Sequence, residues 1–349
     1  MQEIEPRLTT MTVNNYATLI DDQTRAFIER TDAAFPDNAE SLPITEQRRL
    51  YDAMCKLFYA GRPADVCSHD THVMDAHGCQ TPIRQYQRLD GEPTCTNTAQ
   101  VQIVYLHGGG FVVGGLDSHD DVCAEICSRT GLTLTSVDYR LAPEHQHPAA
   151  LDDTMRVIEQ LWKIHGQAIV LCGDSAGANL AAASCHAYRN RRKRNLETNN
   201  TSKTDATTPD IAGQVLIYPG LGGSTNRGSY ITHARAPMLT TAAVQFFTTI
   251  RLGSHSIIED PSIAPLLDKD FSALPPTVAI SAQCDPLCDD GREYCELINR
   301  AGGSAHWIHE DGLVHGYLRA RHSVQRASDS FDRMVGAITS LAQGRWQYG

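Results

Sequence analysis

The stretch AIVLCGDSAGANLAAAS, residues 168–184, decides how this chain is read. It opens as an apolar run, reaches Gly173, sets Ser175 between Gly173 and Gly177, and passes at once into an Ala-rich segment of helical character. A serine with glycine two residues away on each side, at the turn from a strand into a helix, is the pattern of a nucleophile elbow. Small residues are a physical requirement there: the serine takes a strained conformation at the tip, and its neighbours must let strand and helix pass closely. A bare G-x-S-x-G arises by chance in many chains. The strand before it and the helix after it are what give this one weight.

Before and after the elbow, short apolar runs recur at 99–106, 132–138, 168–173, 211–218 and 276–282, each rich in Val or Ile. Segments of helical character lie between and after them, at 118–130, 148–165, 176–190 and 289–301. Apolar strands alternating with helices predict an α/β fold with a mostly parallel central sheet flanked by helices on both faces. THVMDA (71–76) and TPIRQYQRL (81–89) are more polar and read as an antiparallel edge. Two regions break the alternation: the first ~45 residues, which look helical and amphipathic, and 220–270, where TTAAVQFFTTIRLG reads as a helix. We therefore expect an N-terminal helical cap segment at 1–45 and a catalytic domain at 46–349 carrying a cap insertion at about 220–262. Residues 189–210 are basic and then polar, and are expected to form a solvated surface loop rather than a nucleic-acid patch.

With 41 acidic against 30 basic residues the formal net charge is -11, which repels nucleic acid and anionic membrane surfaces. The N-terminal residues lack the basic-then-apolar pattern of a secretory signal, and no apolar run approaches the ~18 residues of a membrane span. The cysteines number eleven, are scattered, and fall partly inside apolar segments, as at Cys172 and Cys185, which suits reduced thiols and a cytoplasmic location. Cys123 and Cys127, like Cys284 and Cys288, are spaced for packing on a helix face and not for zinc, so no metal is expected.

A serine hydroxyl needs a base, and the base needs a group that fixes its tautomer. After an elbow of this kind these partners follow in the order acid, then histidine. Asp285 lies just beyond the strand PTVAISAQ and is the expected acid. Asp289 and Asp290 read as the N-terminal cap and dipole partners of the next helix, and Asp174 as held by the elbow and unable to reach a base on another loop. Among the histidines, His306 and His309 fall in the short strand SAHWIHE, whereas His315 follows it in a loop before the terminal helix and is the expected base. Attack on a carbonyl creates an oxyanion that backbone N–H groups must meet. The glycines of VYLHGGGFVVGG (104–115) let a loop turn its amides inward, so Gly109, Gly110 and Ala176 are the expected donors, with His107 buttressing the loop.

Taken together, HGGGFVVGGLDSHD, DYRLAPEHQHPAALDD, GDSAGANLA, LIYP, DPLCDDG and VHGY resemble the hormone-sensitive-lipase-like carboxylesterases, and bacterial acetyl esterases in particular, over roughly residues 45–340. The resemblance implies an α/β-hydrolase fold with a helical cap and cleavage of short-acyl esters through Ser175, Asp285 and His315, with neither cofactor nor metal. The expected partner is a small-molecule ester; neither nucleic acid nor membrane is expected, and a homodimer is left open. Ala178 departs from the many relatives with a second glycine there, which should touch helix packing more than chemistry. A non-catalytic binding protein on the same fold, or an amidase or lactonase using the same three residues, are the competing readings.

Overall fold

The computed structural model describes residues 15–36, 41–75, 78–89, 101–197, 208–255 and 260–348. In chain order the elements are α1 (Tyr16–Leu19), α2 (Asp22–Ala34), α3 (Ile44–Leu57), β1 (Val66–Met74), β2 (Gln80–Arg88), β3 (Val101–Leu106), α4 (Asp120–Thr130), β4 (Leu134–Val137), α5 (Ala149–His165), β5 (Ala168–Asp174) and α6 (Ala176–Glu197). They continue with β6 (Ile211–Ile217), α7 (Ser229–Thr232), α8 (Thr241–Leu252), β7 (Thr277–Cys284), α9 (Cys288–Arg300), β8 (Ala305–Val314) and α10 (Gln325–Ala342).

The strands form one eight-stranded sheet in the order β1-β2-β4-β3-β5-β6-β7-β8. β1 and β2 pair antiparallel, β2 runs antiparallel to β4, and β4 through β8 are parallel. Strand residues alternate between two cores. Ile103, Tyr105, Val170 and Cys172 pack with α4 and α10 on one face, while Val104, Leu106, Ile169 and Leu171 pack with α5, α6 and α9 on the other. Both faces being covered explains why β3 and β5 read as unbroken apolar runs. β5, β6, β7 and β8 are neighbours in that order, and the residues that follow the carboxyl ends of β5, β7 and β8 form the candidate site.

A third, smaller cluster joins Tyr51, Met54 and Cys55 of α3 to Val112, Val113 and Ala142, with Phe247 and Ile250 of α8 against it. The two helical segments outside the sheet alternation thus meet over the glycine-rich loop.

Three expectations need correcting. The N-terminal helical segment does not stop at 45, because Ile44–Leu57 is one helix whose buried side chains at Tyr51, Met54 and Cys55 keep helical spacing. Residues 189–197 are not loop: α6 runs on through the basic stretch to Glu197, because acids are placed to receive it. Arg189 pairs with Asp268, Lys193 with Asp270, and Arg191 with Glu159. The rest of the polar insert, 198–207, lies outside the described residues, as do 1–14 of the N-terminal segment. Finally β8 is longer than SAHWIHE and continues through Asp311 and Gly312 to Val314, the pairing with β7 shifting register between Ala282 and Cys284. A register shift of this kind lets the strand absorb a glycine that reads as a turn. Among the described residues no helix is long and apolar enough to cross a membrane, and no group of three His, Cys, Asp or Glu side chains could hold a metal ion.

Candidate active site

β5 ends at Asp174 and α6 begins at Ala176, so Ser175 is the whole of the turn between them, at φ 53°. Its amide donates to Ile217 O at 2.9 Å and its carbonyl accepts from Asn179 N at 3.1 Å, fixing the turn to β6 and to the first turn of α6. The flanking glycines are required by close approach. A methyl group on Gly173 would lie 2.6 Å from the Gly177 carbonyl carbon and 2.8 Å from Leu106 O, and one on Gly177 would run into the Leu106 carbonyl. Asn179 secures the other side, its side-chain amide donating to Gly220 O at 2.8 Å and Ile263 O at 3.0 Å.

His315 is the first residue after β8, and Gly316 at φ 74° turns the chain into a 3-10 turn at Tyr317–Ala320. His315 Nε2 lies 2.9 Å from Ser175 Oγ, and His315 Nδ1 lies 2.6 Å from Asp285 Oδ2. The Asp285 side chain is buried, and its second oxygen accepts from Leu287 N at 2.8 Å. The Tyr218 ring packs against the imidazole with centroids 4.7 Å apart. Three residues named from the sequence are therefore joined hydroxyl to imidazole to carboxylate, from the ends of three parallel strands. His306 stacks on Tyr348 and His309 lies 2.9 Å from Asp311, both away from this line.

The glycine-rich loop follows β3. Gly109, Gly110 and Phe111 have φ of 126°, 60° and 66°, three successive residues in a region that L side chains rarely adopt. Gly109 O accepts from Val112 N and Val113 N, both at 3.0 Å, and Phe111 O accepts from Ala142 N at 2.8 Å. Among the described residues no group accepts from the amides of Gly109, Gly110 or Ala176, so the three expected donors are uncommitted. His107 lies under this loop, Nδ1 2.8 Å from Gly108 O, with its ring stacked on Tyr139 at 4.2 Å. Burial, with the nearby His119, pushes its pKa down to about 4, so it stays neutral.

Asp174 has partners that the sequence did not point to: its Oδ1 lies 3.2 Å from His119 Nε2 at the start of α4. It also accepts from Tyr105 Oη and Gly108 N, each at 2.9 Å, and from Tyr218 Oη at 3.2 Å. Burial alone would raise this carboxyl, but His119, Arg319 and the Tyr105 hydroxyl outweigh it and hold it well below the usual carboxylate range. One buried carboxylate thus ties the elbow to the glycine loop and to the ring beside His315. Asp289 and Asp290 stand in the first turn of α9, as expected of dipole partners, but they do not cap it, the N-cap position being Leu287. Asp289 accepts from Ser229 N at 2.8 Å, and Asp290 from Leu221 N at 2.7 Å and Tyr230 Oη at 3.1 Å, so both hold the 221–230 segment. Tyr218, within LIYP, belongs to no motif that marks it as functional in the sequence. Its signal was position: it follows β6 as Ser175 follows β5.

The family described as alpha/beta hydrolase fold matches residues 103–319. The chain is 33% identical to Esterase LipI of Mycobacterium tuberculosis over 266 residues, 74% of this chain and 78% of that protein. It is 28% identical to the Ethyl acetate hydrolase of Pseudomonas putida over 304 residues, 85% of this chain and 90% of that one. Its backbone is similar to that of the hyperthermophilic esterase from the archaeon Pyrobaculum calidifontis, with a TM-score of 0.80, 26% identity, and coverage of 93% and 99% of the two chains.

Proposed function

Because the chain belongs to the α/β-hydrolase family, within it to the hormone-sensitive-lipase-like carboxylesterases, we propose that it hydrolyses short-acyl carboxylic esters through Ser175, His315 and Asp285. The observation that carries this reading is the unbroken hydrogen-bonded line from Ser175 Oγ through both nitrogens of His315 to the buried Asp285 carboxylate. His315 Nε2 takes the hydroxyl proton as Ser175 Oγ bonds to the ester carbon, and Asp285 orients the imidazole and balances its charge. The oxyanion that forms is met by the amides of Gly109, Gly110 and Ala176. As the intermediate collapses, the ester C–O bond breaks and His315 gives its proton to the departing alcohol. Water then repeats the sequence on the acyl-enzyme, releasing the acid and restoring Ser175.

In this reading α1–α3 and the 220–262 segment with α8 form the cap. Their meeting over the glycine loop, with Phe247 against Gly110, supports a closed acyl chamber suited to short chains. The test is turnover of p-nitrophenyl acetate by Ser175→Ala and His315→Ala. Each should fold and lose about three orders of magnitude or more in kcat, and the double variant should be hardly slower than either single. Retention of more than a few per cent of the parent rate in Ser175→Ala would overturn the assignment. Matched amide and lactone substrates, run alongside, separate an esterase from an amidase or lactonase.

A further inference from the structure

We propose that helices α3 and α8 clamp the oxyanion loop in its reactive conformation, and that Arg251 and Arg48 are positioning residues for ester hydrolysis. The inference rests on the reading of Gly109 and Gly110 as oxyanion donors. Its starting point is the backbone. Residues 109–111 all have positive φ, and Phe111, which has a Cβ, is held at 66°. Such a conformation persists only where the surroundings over-determine it. Much of what surrounds this segment comes from outside the sheet.

Phe247 and Arg251 are four residues apart on α8 and so lie on one face of it. Phe247 occupies the space over Gly110: a methyl group there would lie 2.6 Å from Phe247 Cγ. Arg251 occupies the space over the next residue, its guanidinium 3.7 Å from the centroid of the Phe111 ring. Only 6% of Arg251 is exposed, and its hydrogen bonds go to carbonyls, Ile263 O at 3.2 Å and Ser262 O at 3.4 Å. Burial pushes its pKa down to about 9. A leucine would fill such a site without that cost. What the planar guanidinium adds is a flat stacking surface with fixed donors, which sets where the ring beneath it lies.

The second grip comes from α3. Arg48 Nε donates to Val112 O at 2.8 Å and Arg48 Nη2 to Ala142 O at 3.0 Å, while the guanidinium pairs with Glu144 at 2.7 Å. Ala142 N in turn donates to Phe111 O at 2.8 Å. The loop is therefore held at 110 and 111 from α8 and at 112 from α3. The amides of Gly109 and Gly110 point where they do only while both helices are seated, so closing the helices over the substrate and assembling the oxyanion hole are one event.

The experiment uses the full-length enzyme and three variants, Arg251→Met, Arg251→Lys and Arg48→Gln. Active sites are titrated with diethyl p-nitrophenyl phosphate and the label is mapped. Then kcat and KM per labelled site are measured on p-nitrophenyl acetate, with the Ki of a trifluoromethyl ketone that adds Ser175 Oγ to form a tetrahedral oxyanion. Arg251→Met should lower kcat per site about tenfold or more and change KM by less than about threefold. The ketone Ki should rise by about the factor by which kcat falls, since both read the same donors. Arg251→Lys should restore part of the loss, and Arg48→Gln should show the same pattern in smaller measure. Parental kcat per site and parental ketone Ki in Arg251→Met and Arg48→Gln, whatever the melting temperatures, would overturn the clamp, as would a loss confined to KM. If Arg251→Met yields no folded protein, Arg48→Gln decides by the same criteria, its side chain being 28% exposed. A label mapped to a residue other than Ser175 in the parent would overturn the nucleophile assignment and the clamp with it. A label on Ser175 with unchanged turnover in the variants would overturn the clamp alone.

Discussion

Gly110 combines a φ of 60° with Phe247 standing where a side chain would begin. Gly110→Val therefore meets two obstacles, a backbone that a β-branched residue cannot hold and a ring that must move. We expect kcat on p-nitrophenyl acetate to fall roughly a hundredfold, about 3 kcal/mol of transition-state stabilisation, as one donor loses its aim. KM should change much less, because a neutral ground-state carbonyl gains little from donors set for a developing charge. Unchanged kcat with a lower melting temperature would return the triple glycine to a purely structural turn. Ser175, Asp285 and His315 were legible as single residues, because strand ends and chain order narrow the choice to one of each. The partners of Asp174 were not. His119 stands 55 residues away, and nothing in local pattern says that α4 delivers it under the elbow.

Helix α9 shows what an element adds beyond its own period. Its first turn carries Asp289 and Asp290, and these hold the backbone of the 221–230 segment to the turn that follows Asp285. Burial pushes the Asp290 carboxyl up to about 7, against three donors that pull it down. The folded chain then holds this proton more tightly than the unfolded chain does. Its stabilising contribution is complete below about pH 4 and is lost as pH rises through about 7. Asp290→Asn cannot ionise, so its stability relative to the parent should rise between about pH 5 and about pH 8, by at most about 4 kcal/mol, and its melting temperature with it. Thermal unfolding of both proteins across that range checks it; a difference that stays flat with pH would remove Asp290 as the titrating group. Elements were legible where apolar runs were unbroken, as at β3 and β5. They were misjudged where tertiary partners decide: α6 continues through a basic run because Asp268, Asp270 and Glu159 neutralise it, and β8 passes a glycine because β7 shifts register to receive it.

Across the whole molecule, the covering of the glycine loop by α3 and α8 predicts selectivity for small acyl groups. Acetyl to hexanoyl p-nitrophenyl esters should exceed the palmitoyl ester roughly tenfold or more in kcat/KM. A kcat/KM that climbs beyond about ten acyl carbons would instead describe an open groove. The alternation of strands and helices made the layered sheet readable from the sequence. The two segments outside that alternation were readable as a cap, but the contacts that α3 and α8 make with the glycine loop were not, because periodicity says which face of a helix is buried and not what buries it. Ser175 and His315 are 140 residues apart, and the histidine arrives at the far edge of the sheet, on β8, beside β7. A chain whose earlier strands have paired but whose last strand has not docked carries a finished elbow with no base to draw its proton. In the proposed mechanism such an intermediate cannot turn over esters, so recovery of turnover during refolding should time the docking of β8, not the closure of the sheet's centre.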